Sequence, residues 1–478
     1  MHCTEGENCM QEVRRQPFVF PHSLYRILAG IAASLFLGMS SMNAQLAIRI
    51  DQYTLSNGLH VILHQDRTVP DAAVMMMYHV GSKNEKPGRT GFAHLFEHIM
   101  FKGSEHIADG EHFKLLQEVG ANINGSTTED RTNYFEVVPA NYLELALYME
   151  SDRMGFLLPS LTQGKLDNQR DVVKNERRQN YDNQPYGTVH EQILAALFPA
   201  GHPYSWPTIG SMTDLSAASL DDVKEFFRLY YAPNNACIVI VGNFEDQQAK
   251  AWIEKYFGTI PRGKDPERPN VQPAVLTKDT CIIVEDNVKL PRLWITWPSV
   301  PGMTRDDAAL DVLTDILSAG KNSRLYKSLV YERQIAQSVS SYQNGDEIAG
   351  IVQVDATAKS DTDLTSIKTV IDAVLNDVIA NGVKKEEIET SLNGKEAQLV
   401  SRLTTVLGKA ASLATYQTLW GDAAKFNSEM DRFRGITPAE VQAAARKYLT
   451  GHRVVFSVVP KGKTSLAVHP ASPKETRP

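Results

Sequence analysis

Two histidines and a glutamate stand close together in the segment GFAHLFEHIMFK, residues 91–102. Apolar and polar residues alternate there with helical spacing, so His94 and His98 are predicted to lie one turn apart on the same helix face. Two imidazoles in this arrangement can bind one zinc ion. Glu97 lies beside them, where its carboxylate can take a proton from a zinc-activated water that attacks a peptide carbonyl. The motif predicts hydrolytic zinc chemistry; the alternative is a buried amphipathic helix with two hydrogen-bonded histidines.

A second polar helix is predicted for QGKLDNQRDVVKNERRQNYD, residues 163–182. Glu176 lies on this helix, after an apolar pair at residues 172–173 that is expected to face the core. A catalytic zinc site has three protein ligands and one open position, so the histidine pair needs a further ligand from elsewhere in the chain. Spacing alone does not choose that ligand.

Two segments of the chain share one design. Residues 220–241 are predicted to form an amphipathic helix, a turn and a buried strand, and residues 438–459 show the same pattern 218 positions later. Each half also begins with strands, of which residues 53–64 form a predicted hairpin around the turn residues Asn57 and Gly58. The sequence therefore predicts an α+β sandwich that is repeated once.

The predicted halves are joined by residues 261–276, which are rich in proline and charge and lack periodicity. These properties are typical of a linker. We expect an N-terminal zinc-binding catalytic domain over residues 45–260 and a homologous inactive domain over residues 277–465. Residues 466–478 are polar and are predicted to be a disordered tail.

The chain resembles the pitrilysin or insulinase-like metallopeptidases, which are the inverzincins, over residues 48–462. The resemblance is carried by the HxxEH motif of residues 94–98 and by RDVVKNE, residues 170–176. It is greatest to the short bacterial branch that is similar to the mitochondrial processing peptidase. It implies two homologous α/β sandwich domains of the LuxS/MPP-like metallopeptidase fold, and a chamber that admits peptides or small unfolded proteins.

The same resemblance implies roles for individual residues. His94, His98 and Glu176 are the expected ligands of one Zn²⁺ per chain, with Glu97 as the catalytic base. Gln169 stands where the family often has a second, supporting glutamate, and an amide there can donate a hydrogen bond but carries no charge.

Residues 120–138 resemble the family's edge strand, onto which an extended peptide adds as a further strand. Asn124, Gly125 and Ser126 fall at its centre and are expected to contact the substrate. Gly125 is smaller than the usual alanine and permits a closer backbone approach. The alternative is an ordinary hairpin.

The second half lacks the residues that the first half uses for zinc. Asp311, Thr314 and Asp315 stand where His94, Glu97 and His98 would be, so this half is expected to form a substrate-binding wall.

The segment SRLYKSLVYERQIAQ, residues 323–337, resembles a family segment in which an arginine and a tyrosine contact the substrate. Val330 and Gln337 replace them here. The resemblance therefore suggests a heterodimer with a homologous subunit that carries the missing pair; the alternative is a homodimer.

Net charge and the N-terminal segment indicate which partners and which cellular compartment to expect. The 478 residues carry a net charge of −7, which argues against nucleic acid as the main partner. Residues 1–44 contain arginines, an apolar run over residues 27–39 and a small-residue end at Ala44, so they predict a cleaved signal peptide, a periplasmic or secreted protein and no stable membrane span afterwards. The alternative is an uncleaved anchor, which would suit a membrane-anchored assembly factor.

Only Cys237 and Cys281 remain outside that segment, and each lies in a strand-like run. Two buried free thiols are favoured, although a disulfide between them stays possible in an oxidising compartment.

An alternative function for the whole chain is that of a catalytically silent relative, which serves as a chaperone-like or structural binding subunit. Such a protein should bind no stoichiometric zinc.

Overall fold

The structure is a computed structural model that describes residues 48–271 and 273–470. The predicted signal peptide, residues 1–44, lies outside them, as do residues 471–478 of the predicted tail. Within the described residues no helix is both long enough and apolar enough to cross a membrane.

The first half contains a six-stranded sheet in the order β1-β2-β6-β3-β5-β4. The predicted hairpin is confirmed, because β1 and β2 are antiparallel and Gly58 between them has a φ of +94°, which favours glycine. The strands of this sheet are β1 (Asp51–Thr54), β2 (His60–Gln65), β3 (Asp71–Tyr78), β4 (Asn122–Thr127), β5 (Thr132–Pro139) and β6 (Ala236–Gly242).

Eight α-helices belong to this half among the residues described. They are α1 (Phe92–Ile99), α2 (Glu111–Glu118), α3 (Leu143–Ser160), α4 (Gln163–Arg177), α5 (Val189–Leu197), α6 (Met212–Ala217), α7 (Leu220–Tyr230) and α8 (Asp246–Phe257). The predicted polar helix over residues 163–182 is α4 followed by a π-helical turn, Arg178–Asp182.

The second half repeats this topology in a five-stranded sheet, whose order is β7-β11-β8-β10-β9. Its strands are β7 (Thr280–Asp286), β8 (Arg292–Ser299), β9 (Ala336–Gly345), β10 (Gly350–Ala358) and β11 (Val454–Pro460). Its helices are α9 (Arg305–Ser318), α10 (Leu364–Asn381), α11 (Lys385–Leu403), α12 (Val406–Trp420) and α13 (Pro438–Leu449). The order matches that of β2-β6-β3-β5-β4, so the predicted duplication is confirmed.

Each sheet is covered on one face by its own helices and on the other by an element of the opposite half. Val189 and Ile193 of α5 pack on Trp294 and Phe456 of the second sheet. In return, α12 packs on β3 and β6, with Leu413 among the buried residues of that contact. Apolar burial is the main stabilising term in such contacts, so this exchange holds the halves together.

The borders of the two halves can be compared with the predicted ones. The described residues of 261–276 form neither helix nor strand. Ala467 and Val468, which the sequence places in the tail, are buried against the second sheet, and the Val468 N–H donates to Ser457 Oγ at 3.1 Å. Ordered chain therefore continues past the predicted border at residue 465.

Both remaining cysteines are free. Cys237 is buried on β6 and Cys281 is half-buried on β7, so the favoured prediction of free thiols is confirmed, with Cys281 less buried than expected.

Candidate metal centre

Helix α1 presents His94, Glu97 and His98 on its polar face, because its apolar residues are buried in the first core. The start of the helix is fixed by Gly91, whose φ is +86° and whose missing Cβ would lie 2.8 Å from the carbonyl oxygen of Ile209. Close backbone packing therefore requires glycine there.

Glu85 satisfies the free amides at the start of α1. Its carboxylate accepts hydrogen bonds from the N–H groups of Gly91 at 3.0 Å and Ala93 at 2.8 Å. Burial raises the pKa of Glu85 well above its usual range, although these bonds oppose the shift. The helix that carries the histidines is thus anchored at its first turn.

Glu176 reaches the two histidines from the last turn of α4. Its Oε2 atom lies 3.3 Å from His98 Nε2 and 3.8 Å from His94 Nε2. One ligand atom from each of the three side chains lies within 4.8 Å of the others. The structure therefore brings together the three residues that the sequence motifs predicted as a metal site.

The donor set and its dimensions fit zinc. Two imidazole nitrogens and one carboxylate oxygen form a common set for catalytic zinc. Tetrahedral ligands about 2.1 Å from a zinc ion are separated from one another by roughly 3.4 Å, and the two nitrogen–oxygen distances lie on either side of that value. His94, His98 and Glu176 would hold the ion, and an open fourth position would remain.

The electrostatics favour the metal-binding forms of His94 and Glu176. Burial and, to a smaller extent, the neighbouring His98 lower the pKa of His94 to about 4 against the opposing charge of Glu176, so its imidazole is neutral near pH 7. The hydrogen bond with His98 is the main cause that lowers the pKa of Glu176, which is ionised. Neutral imidazoles and an ionised carboxylate are the forms that bind a metal.

Glu97 lies beside the cluster and is held by the edge of the first sheet. Thr127 Oγ1 donates a hydrogen bond of 2.5 Å to Glu97 Oε2. A Cβ on Gly125 would lie 3.2 Å from Glu97 Cγ, so the strand backbone approaches the glutamate closely. Burial raises the pKa of Glu97, while the Thr127 bond and the charge of Arg131 oppose that shift.

The predicted edge strand is confirmed. β4 carries Asn124, Gly125 and Ser126, and among the described strands it has a neighbour, β5, on one side only. Arg131 braces it, donating 2.8 Å and 2.6 Å hydrogen bonds to the carbonyl and hydroxyl oxygens of Ser126. Asn124 accepts a hydrogen bond from the Gly125 N–H at 2.8 Å. The open edge of β4 thus faces outward next to Glu97.

Other predicted residues lie further from the cluster. Gln169 is buried on α4 and donates to Asn168 at 2.7 Å, so its supporting role stays a prediction. Val330 packs against the second core, and Gln337 is exposed near the start of β9.

The side chain of Asn180, in the π-helical turn after α4, forms a hydrogen bond with Glu176 and lowers the pKa of that glutamate.

Thr127, Arg131 and Asn180 were not predicted to support the cluster. Thr127 and Arg131 lie inside the segment 120–138 that the sequence marked as a strand pair, and their interactions with Glu97 depend on how this strand pair packs on α1. An alternating strand pattern was the available signal, and it does not say which residue faces another helix.

Comparison with known proteins assigns the chain to a family. Residues 60–209 match the family described as Insulinase (Peptidase family M16), and residues 217–395 match the one described as Peptidase M16 inactive domain. The chain belongs to peptidase family M16. The insulinase match contains all four residues of the candidate centre, and the inactive-domain match covers most of the half that lacks them.

Several M16 relatives are named zinc proteases, which implies zinc in the family. The zinc protease PqqE of Helicobacter pylori is 28% identical over 408 residues, covering 83% of this chain and 90% of that protein. The uncharacterized zinc protease YmxG of Bacillus subtilis is 23% identical, covering 86% of this chain and 99% of that protein.

Solved structures show the same M16 fold. The crystal structure of a protease from Helicobacter pylori matches with a TM-score of 0.81 at 25% identity, covering 87% of this chain and 100% of that one. The periplasmic protease PqqL of Escherichia coli matches with a TM-score of 0.73 at 16% identity, covering 89% of this chain and 49% of that one.

Proposed function

We propose that this M16 chain is a zinc metallopeptidase that hydrolyses peptides or small unfolded proteins, with one Zn²⁺ per chain. The observation that carries the proposal is the convergence of His94, His98 and Glu176 within bonding reach of one ion, with Glu97 beside them. Relatives named zinc proteases share this family and support the same chemistry.

The chain's own residues divide the work of peptide hydrolysis. A zinc ion at the three ligands would supply a Lewis acid that polarises the peptide carbonyl and makes water more acidic. Thr127 holds Glu97 at Oε2, which leaves Oε1 to accept the proton of the attacking water. Glu97 then returns that proton to the leaving amine, and Arg131 stabilises its ionised form.

The substrate is an extended peptide that pairs with β4. The open edge of this strand offers backbone N–H and C=O groups to another strand, a common mode of peptide recognition. Because Gly125 has no side chain, the backbone of β4 comes close to Glu97, so a peptide that pairs with this strand would lie beside the catalytic base. Specificity of this kind favours unfolded chains, since a folded substrate cannot present a free strand.

The test of the chemistry is Glu97→Gln in the mature chain, mixed with a homologous subunit that carries the family's arginine and tyrosine and assayed on a mixture of unfolded peptides by mass spectrometry. Loss of a general base should lower turnover by about 10²–10⁴-fold while zinc content stays at one per chain. Glu118→Gln is the control, because Glu118 is an exposed carboxylate on the neighbouring helix α2. Equal cleavage by wild type and Glu97→Gln contradicts the proposal.

We further propose that the active form is a heterodimer with a homologous subunit. The support is that Val330 and Gln337 occupy the positions of the family's substrate-contacting arginine and tyrosine. The chain alone should show little peptidase activity, and activity should rise when it is mixed with a relative that carries this pair. Full activity of the isolated chain, or a homodimer that reaches it, contradicts the heterodimer.

The chain acts after export, in the periplasm or outside the cell, in this proposal. The support is the signal-like pattern of residues 1–44 and the similarity to the periplasmic protease PqqL. N-terminal sequencing of the protein from cell fractions tests it, with a mature start after Ala44 as the expected result. An intact N-terminus in the membrane fraction contradicts cleavage.

A further inference from the structure

A buried lysine joins the two halves of the chain near the candidate metal centre. Lys83 lies in the short helical turn Ser82–Asn84 that follows β3, and its side chain is completely buried. Its ammonium lies 2.9 Å from Asp130 in the first half and contacts the carboxylate of Glu347 in the second half. A buried charge is costly unless it is paired, so both carboxylates are needed to keep the ammonium there.

Glu347 lies in the turn between β9 and β10. Besides the contact with Lys83, three interactions hold this turn against the first half, through Asp130, His79 and Tyr204. Its backbone N–H donates to Asp130 Oδ2 at 2.8 Å, and its Oε2 lies 2.6 Å from His79 Nε2. The Tyr204 hydroxyl donates to Asp130 Oδ1 at 2.5 Å and accepts from the Ile348 N–H at 3.2 Å. The network is therefore specific in geometry and crosses from one half to the other at several atoms.

The charges in this network are complementary at neutral pH. Burial alone would raise the pKa of Glu347, but the His79 hydrogen bond and the charge of Lys83 outweigh it and lower that pKa to about 2. Glu347 is therefore ionised and forms charge-assisted bonds, which are stronger than neutral ones.

Asp130 connects this network with the catalytic base. It lies in the turn between β4 and β5, three residues after Thr127, whose hydroxyl holds Glu97. The N–H of Lys83 donates to the carbonyl of Glu129 in the same turn at 3.0 Å. The turn is thus held from one side by the Lys83 segment and from the other by the turn of the second half.

We propose that Lys83, Asp130 and Glu347 form an interdomain latch that positions the β4–β5 turn, and with it Thr127 and Glu97, against the second half. The catalytic part of this inference rests on the proposed peptidase function. The three are positioning residues, since they act on Glu97 through the strand that holds it. When the latch is closed, the edge strand and the base are aligned for reaction; when it opens, both lose their support.

The latch can be tested with Glu347→Gln in the full mature chain. The amide keeps the size of the side chain but removes the charge that pairs with Lys83. We expect hydrogen exchange of the amides of residues 124–131 to accelerate by about fivefold or more, because their local opening becomes easier. We also expect kcat to fall by about tenfold with KM changed less than about threefold, since misplacement of a catalytic group mainly affects the reaction step.

Glu387→Gln is the matched control. Glu387 pairs with Arg324 at 2.7 Å within the second half and is 26% exposed, close to the 21% of Glu347. It should leave the exchange of residues 124–131 and kcat unchanged. The inference is overturned if Glu347→Gln leaves both quantities unchanged, or if the control changes them equally.

A Lys83→Met variant extends the test, and it should accelerate the same amides more than Glu347→Gln does. If that variant does not fold, Glu347→Gln still decides the question. If the wild-type chain cleaves no peptide with its partner present, the proposed peptidase function fails, while the exchange measurement continues to support or overturn the latch.

Discussion

The candidate metal centre of the first half has a counterpart in the second half, in which the carboxylates and the basic groups have exchanged helices. In the first half, two imidazoles on α1 face a carboxylate on α4. In the second half, Asp311 and Asp315 on α9 face Lys395 on α11, whose ammonium lies 3.0 Å from Asp315 and 3.9 Å from Asp311. The same two-helix frame thus holds a predicted metal site in one half and an ion pair in the other.

The surroundings of the counterpart show why it does not need a metal. Arg432 lies 2.5 Å from the Asp311 carboxylate, and Ser391 donates to Asp315 at 2.6 Å. Thr314, in the place of the base, donates to the Asp311 carbonyl oxygen and is buried. Two protein cations and a hydroxyl therefore partner these carboxylates, so their charge is compensated without a divalent ion.

This difference shows that one fold can hold either a candidate metal site or a cluster of ion pairs, depending on three side chains. Both halves use the same arrangement of two packed helices, α1 with α4 in the first half and α9 with α11 in the second. Function follows from the side chains placed on it. The comparison therefore predicts what happens when the side chains of one half are placed in the other, or when one partner is removed.

The largest effect is expected from Glu176→Lys, which gives the first half the charge of Lys395. The ammonium should repel a divalent ion and remove a ligand, so zinc affinity should fall by more than about a hundredfold. Metal content after dialysis measures it. Asn175→Lys is the control, because it adds the same charge at an exposed neighbouring position and should retain zinc. Stoichiometric zinc in Glu176→Lys would refute the assignment of this ligand.

A smaller effect is expected from Lys395→Met, which leaves Asp311 and Asp315 without their shared ammonium. Lys395 is 15% exposed, so the loss in the free energy of unfolding should be about 1–3 kcal/mol, below that of a fully buried pair. Denaturant unfolding measures it. Lys385→Met removes an ion pair on the same helix whose lysine is 79% exposed, and it should cost less than about 0.5 kcal/mol.

The loss in Lys395→Met should also depend on pH. Burial raises the pKa of Asp311 to about 6 in the folded chain, and Lys395 opposes that rise, so its removal raises the pKa further. A carboxyl with a raised folded pKa stabilises the fold fully below its unfolded pKa, and that stability is lost as the pH rises through the folded pKa. The variant should therefore lose more stability at pH 8 than at pH 5. Equal losses at both would contradict this cause.

Local spacing explains what the sequence could predict. The HxxEH motif defines one helix turn, so the relation of His94, Glu97 and His98 follows from helix geometry alone. Glu176 lies 78 positions after His98, and a family resemblance was needed to choose it. Its approach to the histidines depends on how α4 packs on α1, which no local pattern encodes.

The duplicated fold was predictable for the same reason, because its repeated helix–turn–strand segments are local patterns. Thr127, Lys83 and Glu347 gave no such signal. Their roles depend on strand register and on contacts between the halves, and a single polar residue in a turn is compatible with ordinary solvent exposure. The sequence placed Asp315 opposite His98 in the repeat, but it gave no sign of the ion pair with Lys395, since that pair joins two helices.

The smallest expected effect comes from Gly125→Ala, which tests a second difference between the halves. Counted from the turn, Gln343 of β9 stands where Gly125 stands in β4, and its side chain donates to Asp307 at 3.2 Å. An alanine Cβ at residue 125 would lie 3.2 Å from Glu97 and from two aromatic rings, so these neighbours must shift by a few tenths of an ångström.

We expect Gly125→Ala to cost about 1 kcal/mol in the free energy of unfolding, and to lower peptide turnover by less than about tenfold, because Glu97 is displaced slightly. Gly164→Ala on α4 is the control, since the nearest atom to a Cβ there would be Thr162 Oγ1 at 4.0 Å, and it should not lower stability. Thermal unfolding and kcat measure both variants. If the Gly125→Ala chain is as stable and active as wild type, β4 can shift away from Glu97 at little cost. The close approach to Glu97 would then not be the feature that distinguishes β4 from β9.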